Sequence, residues 1–327
     1  MKAPPTPHSR SDLAAQRRCS KELIAGVEED IEQLHQLNAW KRIGEFALFT
    51  LLYALGFMLV PIEGSAPFLT FAGVICMGVA FNLLPILLHD GQHGLLAQNV
   101  RLNHLISFLV GIPIAMSTTA YSTTHVNHHY ELGRKLDFST YEQHVKRPGL
   151  VWVAYLVQLL AGSFVYTVCV PILAMKIASR RARLVIVAEY LVIIGAFYIV
   201  FRWLPIELIL VYWVFPILVV NLCTNIRGVA SHALGDVENI YLSSRTIKSS
   251  RLVSYLFLFE NYHLEHHLFP SVPSYHLPGV HALIWCRLPE AIYAPSYLSF
   301  LFGMAKAAIK NDLGPLGVVR PLDEGGQ

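Results

Sequence analysis

The chain has 327 residues, 54% of them hydrophobic and only 14% charged, with a formal net charge of +3 at neutral pH. That apolar content lies well outside the soluble average and points to one membrane-integrated domain. The small net charge leaves no footprint for nucleic acid, and five scattered cysteines (Cys19, Cys76, Cys169, Cys223, Cys286) without CxxC spacing exclude a disulfide framework, a zinc ribbon and an iron–sulfur cluster.

Residues 1–45 form a polar leader of mixed charge with Pro4, Pro5, Pro7, Arg17 and Arg18 and no apolar h-region, so no cleavable signal peptide is expected. The leader is predicted to be a cytosolic N-terminal arm in which Glu22 to Trp40 forms either an amphipathic helix on the membrane surface or a solvated helix. A membrane domain follows over residues 46–302, with apolar runs at Phe46 to Val60, Pro67 to Leu88, Leu105 to Met116, Val151 to Met175, Leu184 to Phe201 and Ile206 to Cys223. A span needs about twenty residues, so the short run Leu105 to Met116 is expected to be interfacial or re-entrant. Residues 303–327 read as a C-terminal tail, mobile from Gly314 onward.

Between these runs, eight of the fifteen histidines fall into three clusters: His89-x-x-x-His93 (box 1), His125-x-x-His128-His129 (box 2) and His263-x-x-His266-His267 (box 3). Helix positions three and four apart share a face, so each cluster can aim imidazoles at one point. A lone histidine is more often a hydrogen-bonded core or surface residue, but an HxxHH pattern should arise by chance only about 0.03 times at this histidine content, and two occur. Eight ligands are too many for one tetrahedral site, which closes with four, or with three and a water. The count therefore points to two metal ions, and imidazole suits iron, copper, nickel and zinc alike.

If the boxes build one site they face one aqueous side, and an even number of crossings separates them. Three apolar runs lie between box 2 and box 3, which is odd. Lys176, Arg180, Arg181 and Arg183 follow the Val151 to Met175 run, and Lys41, Arg42, Arg134, Lys135, Lys146, Arg147, Arg245, Lys248 and Arg251 flank the others, so the positive-inside rule makes all these segments cytosolic. The run Val151 to Met175, interrupted by Gly162 and Pro171, is therefore expected to bend back to the side it left. The predicted fold is an all-α, multi-pass integral membrane protein. It has four transmembrane helices in two hairpins, turning near Pro61 to Ala66 and Arg202 to Pro205, with interfacial helices and a cytosolic histidine-rich helical cap.

HxxxH, HxxHH and HxxHH in this order, separated by long apolar hairpins, resemble the membrane fatty acid desaturase superfamily, which also holds lipid and carotenoid hydroxylases and ketolases. The stretch NYHLEHHLFPSVPSYHLP from Asn261 to Pro278 looks like the third box of acyl-lipid desaturases, and the likeness covers about Phe46 to Leu288. The resemblance implies two iron ions held by His89, His93, His125, His128, His129, His263, His266 and His267, with one more histidine between the last span and box 3. His232 occupies that interval. Asn221 and Asn225 are weaker candidates to support a ligand or a bound water. Asp90, Asp137, Asp236, Glu260 and Glu265 are candidates to orient ligating imidazoles, whereas His104, His144, His276 and His281 are expected to be non-ligands.

Breaking an unactivated C–H bond needs a stronger oxidant than any side chain supplies, so a metal cofactor with dioxygen as co-substrate would carry that step. Loss of a second hydrogen gives an alkene and return of oxygen gives an alcohol, and the histidine motifs do not separate the two. The first expectation is a fatty acyl or lipid desaturase acting on a long hydrocarbon chain. The alternatives are a hydroxylase or ketolase of a carotenoid or other lipid, and a zinc-dependent membrane hydrolase or binding protein. The chain has no haem-binding HPGG segment and no GxGxxG fingerprint, so an external donor of the ferredoxin, rubredoxin or cytochrome b5 type is implied. Arg134, Lys135, Arg245, Lys248 and Arg251 are candidates to steer it.

Overall fold

A computed structural model describes residues 21–61, 66–130, 132, 137 and 140–320. Most of the expected Pro61 to Ala66 turn, together with Arg17, Arg18, Cys19, Arg134 and Lys135, lies outside these residues. The chain divides into two compact units, of which the first holds most of the apolar helices and the second most of the histidines.

The helical unit comprises Leu37–Thr123 and Leu160–Asn225. Helix α1 (Ala39–Leu59) starts where the Asn38 side chain accepts from the amides of Trp40 and Lys41, and α2 (Pro67–Phe81) begins on its proline. These two helices meet through glycines. A Cβ at Gly56 would lie 2.7 Å from the Gly73 carbonyl oxygen, and one at Gly73 would lie 2.6 Å from that of Gly56, the small-residue contact that lets membrane helices approach closely. Pro85 cannot donate to the carbonyl of Phe81, and α2 accordingly breaks at Asn82 before α3 (Leu83–Gln92).

Helix α4 (Val100–Gly111) runs into a 3-10 turn at Ile112–Ile114, and α5 (Thr118–Tyr130) then departs at 100°. The short apolar run, expected to be interfacial or re-entrant, is with α5 either a broken span or a re-entrant element. The bend is held by Glu189 of α7, a buried carboxylate that accepts from Ser117 Oγ at 2.5 Å, Thr119 N at 3.0 Å and Thr119 Oγ1 at 2.8 Å, and pairs with His104 Nε2 at 3.0 Å.

Helix α6 (Pro148–Ile177) is continuous through Gly162 and Pro171, which corrects the expected bend. At 1.5 Å per residue its thirty residues reach about 45 Å, and the cost of one proline is a single backbone hydrogen bond, which membrane helices tolerate. It is followed by α7 (Arg180–Trp203), capped by Ser179, and α8 (Ile206–His232). A π-turn at Leu210–Val214 makes room in α8 for Pro216, and the Tyr212 carbonyl that this proline cannot serve accepts from Tyr53 Oη at 2.7 Å. Among the described residues five helices, Ala39–Leu59, Pro67–Gln92, Pro148–Ile177, Arg180–Trp203 and Ile206–His232, are long and apolar enough to cross a membrane, where four crossings were expected. Phe68, Met58, Leu191 and Ile194 stand exposed on them, as apolar side chains do where lipid replaces water.

The histidine unit comprises residues up to Gln36, Thr124–Leu159 and Ile226–Gln327. Helices α9 (Arg251–Leu256), α10 (His263–Leu268), α11 (Leu277–Ile284) and α12 (Tyr297–Lys310) accompany a three-stranded sheet of β1 (Thr246–Ile247), β2 (Ala291–Ala294) and β3 (Val318–Arg320). Strand β2 is central, parallel to β1 and antiparallel to β3. The segment read as a tail thus holds the end of α12 and an edge strand. The arm also differs from its membrane-surface expectation: Leu23 and Ile31 are buried against Leu264, Leu277, Val280 and Ile284, and His276 Nδ1 donates to the Leu34 carbonyl at 2.8 Å. Its apolar face is spent on protein core. A second core joins Val151, Trp152 and Tyr155 to Val229, Ala230, Ala233, Ile247 and Phe300.

Candidate metal centre

Box 1 ends α3 in the helical unit. His89 is buried, and its ring lies 5.3 Å from that of His93. Asp90 follows with an oxygen 3.6 Å from His89 Nδ1 and is ion-paired to the buried Arg42, which also binds Glu45 at 2.8 Å. Arg42, read from the sequence as a topology signal, is thus a structural partner of the box 1 acid.

Seven of the nine predicted ligands lie in the histidine unit, in two groups. One holds His128, His232, His263 and His267, each offering a nitrogen within 4.8 Å of the others. His232 Nε2 is 2.9 Å from His263 Nε2, which is 3.2 Å from His267 Nε2. The other holds His125, His129 and His266, with His129 Nε2 3.1 Å from His125 Nε2 and 3.3 Å from His266 Nε2. Box 2 contributes from the last turn of α5 and box 3 from α10, where the i, i+3 and i, i+4 spacing puts the rings on one side. Leu258 and Phe259, both left-handed (φ 44° and 63°), turn the chain into box 3, a conformation that costs non-glycine residues about 1–3 kcal/mol each and is kept where neighbours over-determine it.

The donor set fits metal ions. One imidazole lone pair takes one N–H, yet His263 Nε2 faces two other Nε2 atoms and His129 Nε2 does the same. With a metal–nitrogen bond of about 2.1 Å, neighbouring ligand nitrogens sit about 3.0 Å apart in an octahedron and about 3.4 Å apart in a tetrahedron, a range that holds three of the four observed separations and lies just above the fourth, 2.9 Å. Burial, then the imidazoles of His129, His263, His232 and His128, holds His267 well below the usual histidine range. Neutral imidazole is the form that binds metal.

A sequence profile of the family described as Fatty acid desaturase matches residues 65–298, well over half of the chain. The chain belongs to the fatty acid desaturase family. No curated protein matches it closely enough to add a relative. Family membership makes this desaturase-family protein a membrane oxidoreductase with a lipid substrate.

Of the acids considered for orienting imidazoles, Asp137 accepts from His128 Nδ1 at 3.0 Å and Glu260 lies 3.6 Å from His263 Nδ1 while pairing with Arg227 at 3.2 Å. Glu265 instead binds His281 Nδ1 at 2.5 Å and Thr246 Oγ1 at 2.7 Å. Asp236 accepts from the Glu238 amide. The four histidines set aside as non-ligands have other partners: His144 Nε2 donates to the Asp137 carbonyl, and His104, His276 and His281 are engaged as described. Asn225 Nδ2 donates to Asn221 Oδ1, whose amide reaches the Leu160 carbonyl, while Ser163 Oγ donates to Asn225 Oδ1. Within the helical unit these asparagines tie α8 to α6.

Arg245 departs furthest from its expected role. It is 1% exposed, inside the histidine unit, and is no part of a docking surface. Lys248 is exposed, with its ammonium 4.3 Å from the centre of the Tyr293 ring. Neither the Glu189 clasp nor the burial of Arg245 is visible in sequence, except that Glu189 is an acid inside a long apolar run, which marks a residue with a task.

Proposed function

We propose that this protein is an oxygen-dependent di-iron desaturase that places a double bond in a long acyl or lipid chain, with electrons from an external carrier of the ferredoxin, rubredoxin or cytochrome b5 type. The observation that carries the reading is the convergence of seven imidazoles into two groups with ligand-like nitrogen separations. In this reading His128, His232, His263 and His267 hold one ion and His125, His129 and His266 the other, and the family resemblance implies His89 and His93 as further ligands. Two irons in that environment would supply the oxidising power for C–H cleavage that no side chain provides.

The chain's own residues set the rest. Asp137 holds the Nδ1 proton of His128 so that Nε2 keeps its lone pair for the metal. Burial and the neighbouring imidazoles keep His267 neutral, the form that binds metal. Box 2 lies beside box 3 within one unit, so an even number of full crossings separates them. Three helices of spanning length lie in that interval, so in this reading one of them does not cross. Cations at both ends of α6 (Lys146, Arg147, Lys176, Arg180) support α6 as that helix, lying along the membrane face, and support a cytosolic site.

The deciding experiment is metal analysis of the detergent-purified protein with His128→Ala and His266→Ala beside it, followed by lipid analysis of membranes expressing it with and without oxygen. The reading expects about two irons per chain in the parent, loss in both variants and oxygen-dependent new double bonds. New hydroxyl or keto groups would move the assignment to oxygen insertion, and stoichiometric zinc without iron would move it to hydrolysis or binding.

A further inference from the structure

The strand segment after the last apolar helix contains an arginine that composition would place on the surface and the fold places inside. Within the histidine unit, Ser243 to Ile247 passes across the C-terminal end of α8 and bonds to its last carbonyls. The Arg245 amide donates to Ser231 O at 3.0 Å, Nη1 to Ala230 O at 2.8 Å and Nη2 to Ala233 O at 2.5 Å. The guanidinium lies 5.1 Å from the centre of the Phe300 ring. Two residues earlier, the Ser243 carbonyl stands 3.4 Å from His232 Nδ1. One residue later, Thr246 Oγ1 donates to Glu265, and the Ile247 amide donates to Asn261 O at 2.8 Å while Asn261 Nδ2 returns a bond to Ile247 O at 2.9 Å. Four of the five residues from Ser243 to Ile247 thus bind the helix end that carries His232 or the segment that carries box 3.

A buried guanidinium is costly unless its donors are satisfied. The last carbonyls of a helix are acceptors without intrahelical donors, and their dipole favours a cation. Burial lowers the Arg245 pKa to about 10 against the opposing pull of Tyr155 and Glu142, so the charge persists at neutral pH. A cap that only ends the helix is already present without Arg245: Leu234 is left-handed (φ 54°) and the Gly235 amide donates to the His232 carbonyl at 3.1 Å. What a bidentate guanidinium adds is orientation of the last turn, because two rigid donors grip carbonyls on either side of His232.

We propose that Arg245 is a positioning residue for His232: its grip on Ala230 and Ala233 fixes the direction in which His232 presents Nε2 to the group formed with His128, His263 and His267, and so sets that group's metal affinity. The inference rests on the two-metal reading.

The test is titration of the metal-free, full-length protein in detergent with Co²⁺, whose visible bands report nitrogen coordination, using Arg245→Lys, Arg245→Met and His232→Ala. The parent should take two ions per chain. Arg245→Lys, which keeps a point charge but loses the fork, should weaken one of the two sites about tenfold and leave the other unchanged, and Arg245→Met should weaken the same site up to about a hundredfold. On the His232→Ala background, Arg245→Lys should change nothing further, because the ligand that it orients is gone. Equal affinities in the parent and Arg245→Lys, or additive losses in the double variant, would overturn the proposal. Fewer than two ions in the parent would instead sink the two-metal reading. Should Arg245→Met fail to fold, the lysine variant and its cycle with His232→Ala decide the matter.

Discussion

Replacing Glu189 by leucine removes the carboxylate that holds the 100° bend ahead of box 2. The carboxylate has four partners: the Ser117 hydroxyl, the Thr119 amide and hydroxyl, and His104. Hydrogen bonds to a charged group contribute about 1.5–3 kcal/mol each, so the set is worth roughly 6–12 kcal/mol. Leucine also relieves the cost of holding a carboxylate in an apolar segment, about 2.5–3.5 kcal/mol on insertion scales, and the two hydroxyls can turn to nearby carbonyls. The losses win. Glu189→Leu should destabilise the protein by about 3 kcal/mol, with the Thr119 amide left without its acceptor. Glu189→Gln keeps an oxygen for Ser117 and the Thr119 amide and loses mainly charge assistance, so it should cost about 1–2 kcal/mol. Equilibrium unfolding by SDS in mixed micelles reads both values. A leucine variant within about 1 kcal/mol of the parent, or a glutamine variant worse than leucine, would show that this cluster is incidental to the bend.

Two further outcomes follow from the histidine unit. In the two-metal reading Asp137→Asn should speed metal loss to a chelator about tenfold, since the Nδ1 proton of His128 keeps an acceptor but loses its anion; an unchanged rate would remove Asp137 from the ligand support. The metal-free protein should lose stability as pH falls below about 6.5. An unfolded histidine takes up a proton there while folded His267, held low by burial and neighbouring imidazoles, resists it, so the unfolded state binds more protons, and the slope from this residue reaches about 1.4 kcal/mol per pH unit. Thermal melts from pH 7.5 to 5 should show this decline and its reduction in His267→Gln; a flat profile would refute it.

The helical character and the three boxes were legible because both rest on local pattern: twenty-residue apolar runs and ligand spacings of three and four. His232 was found only through family resemblance, since one histidine at a helix end carries no spacing signal. The bend at Pro171 was misjudged because a proline removes one hydrogen bond, too little to break a thirty-residue apolar helix. Arg245 was assigned to solvent on residue type alone, and its burial depends on carbonyls fifteen and twelve residues earlier that only folding brings to it. The arm was misplaced for the same reason: an amphipathic face in sequence states that it will be covered, not whether lipid or the Leu277–Ile284 helix will cover it.

The ligands of the histidine unit are written in three stretches of chain, and the last of them, His263 to His267, leaves the ribosome only after every long apolar helix. Until then His128 and His232 have no partners from box 3 to meet. In the two-metal reading, loading of this set therefore follows membrane insertion, and the ions meet a protein already in its bilayer.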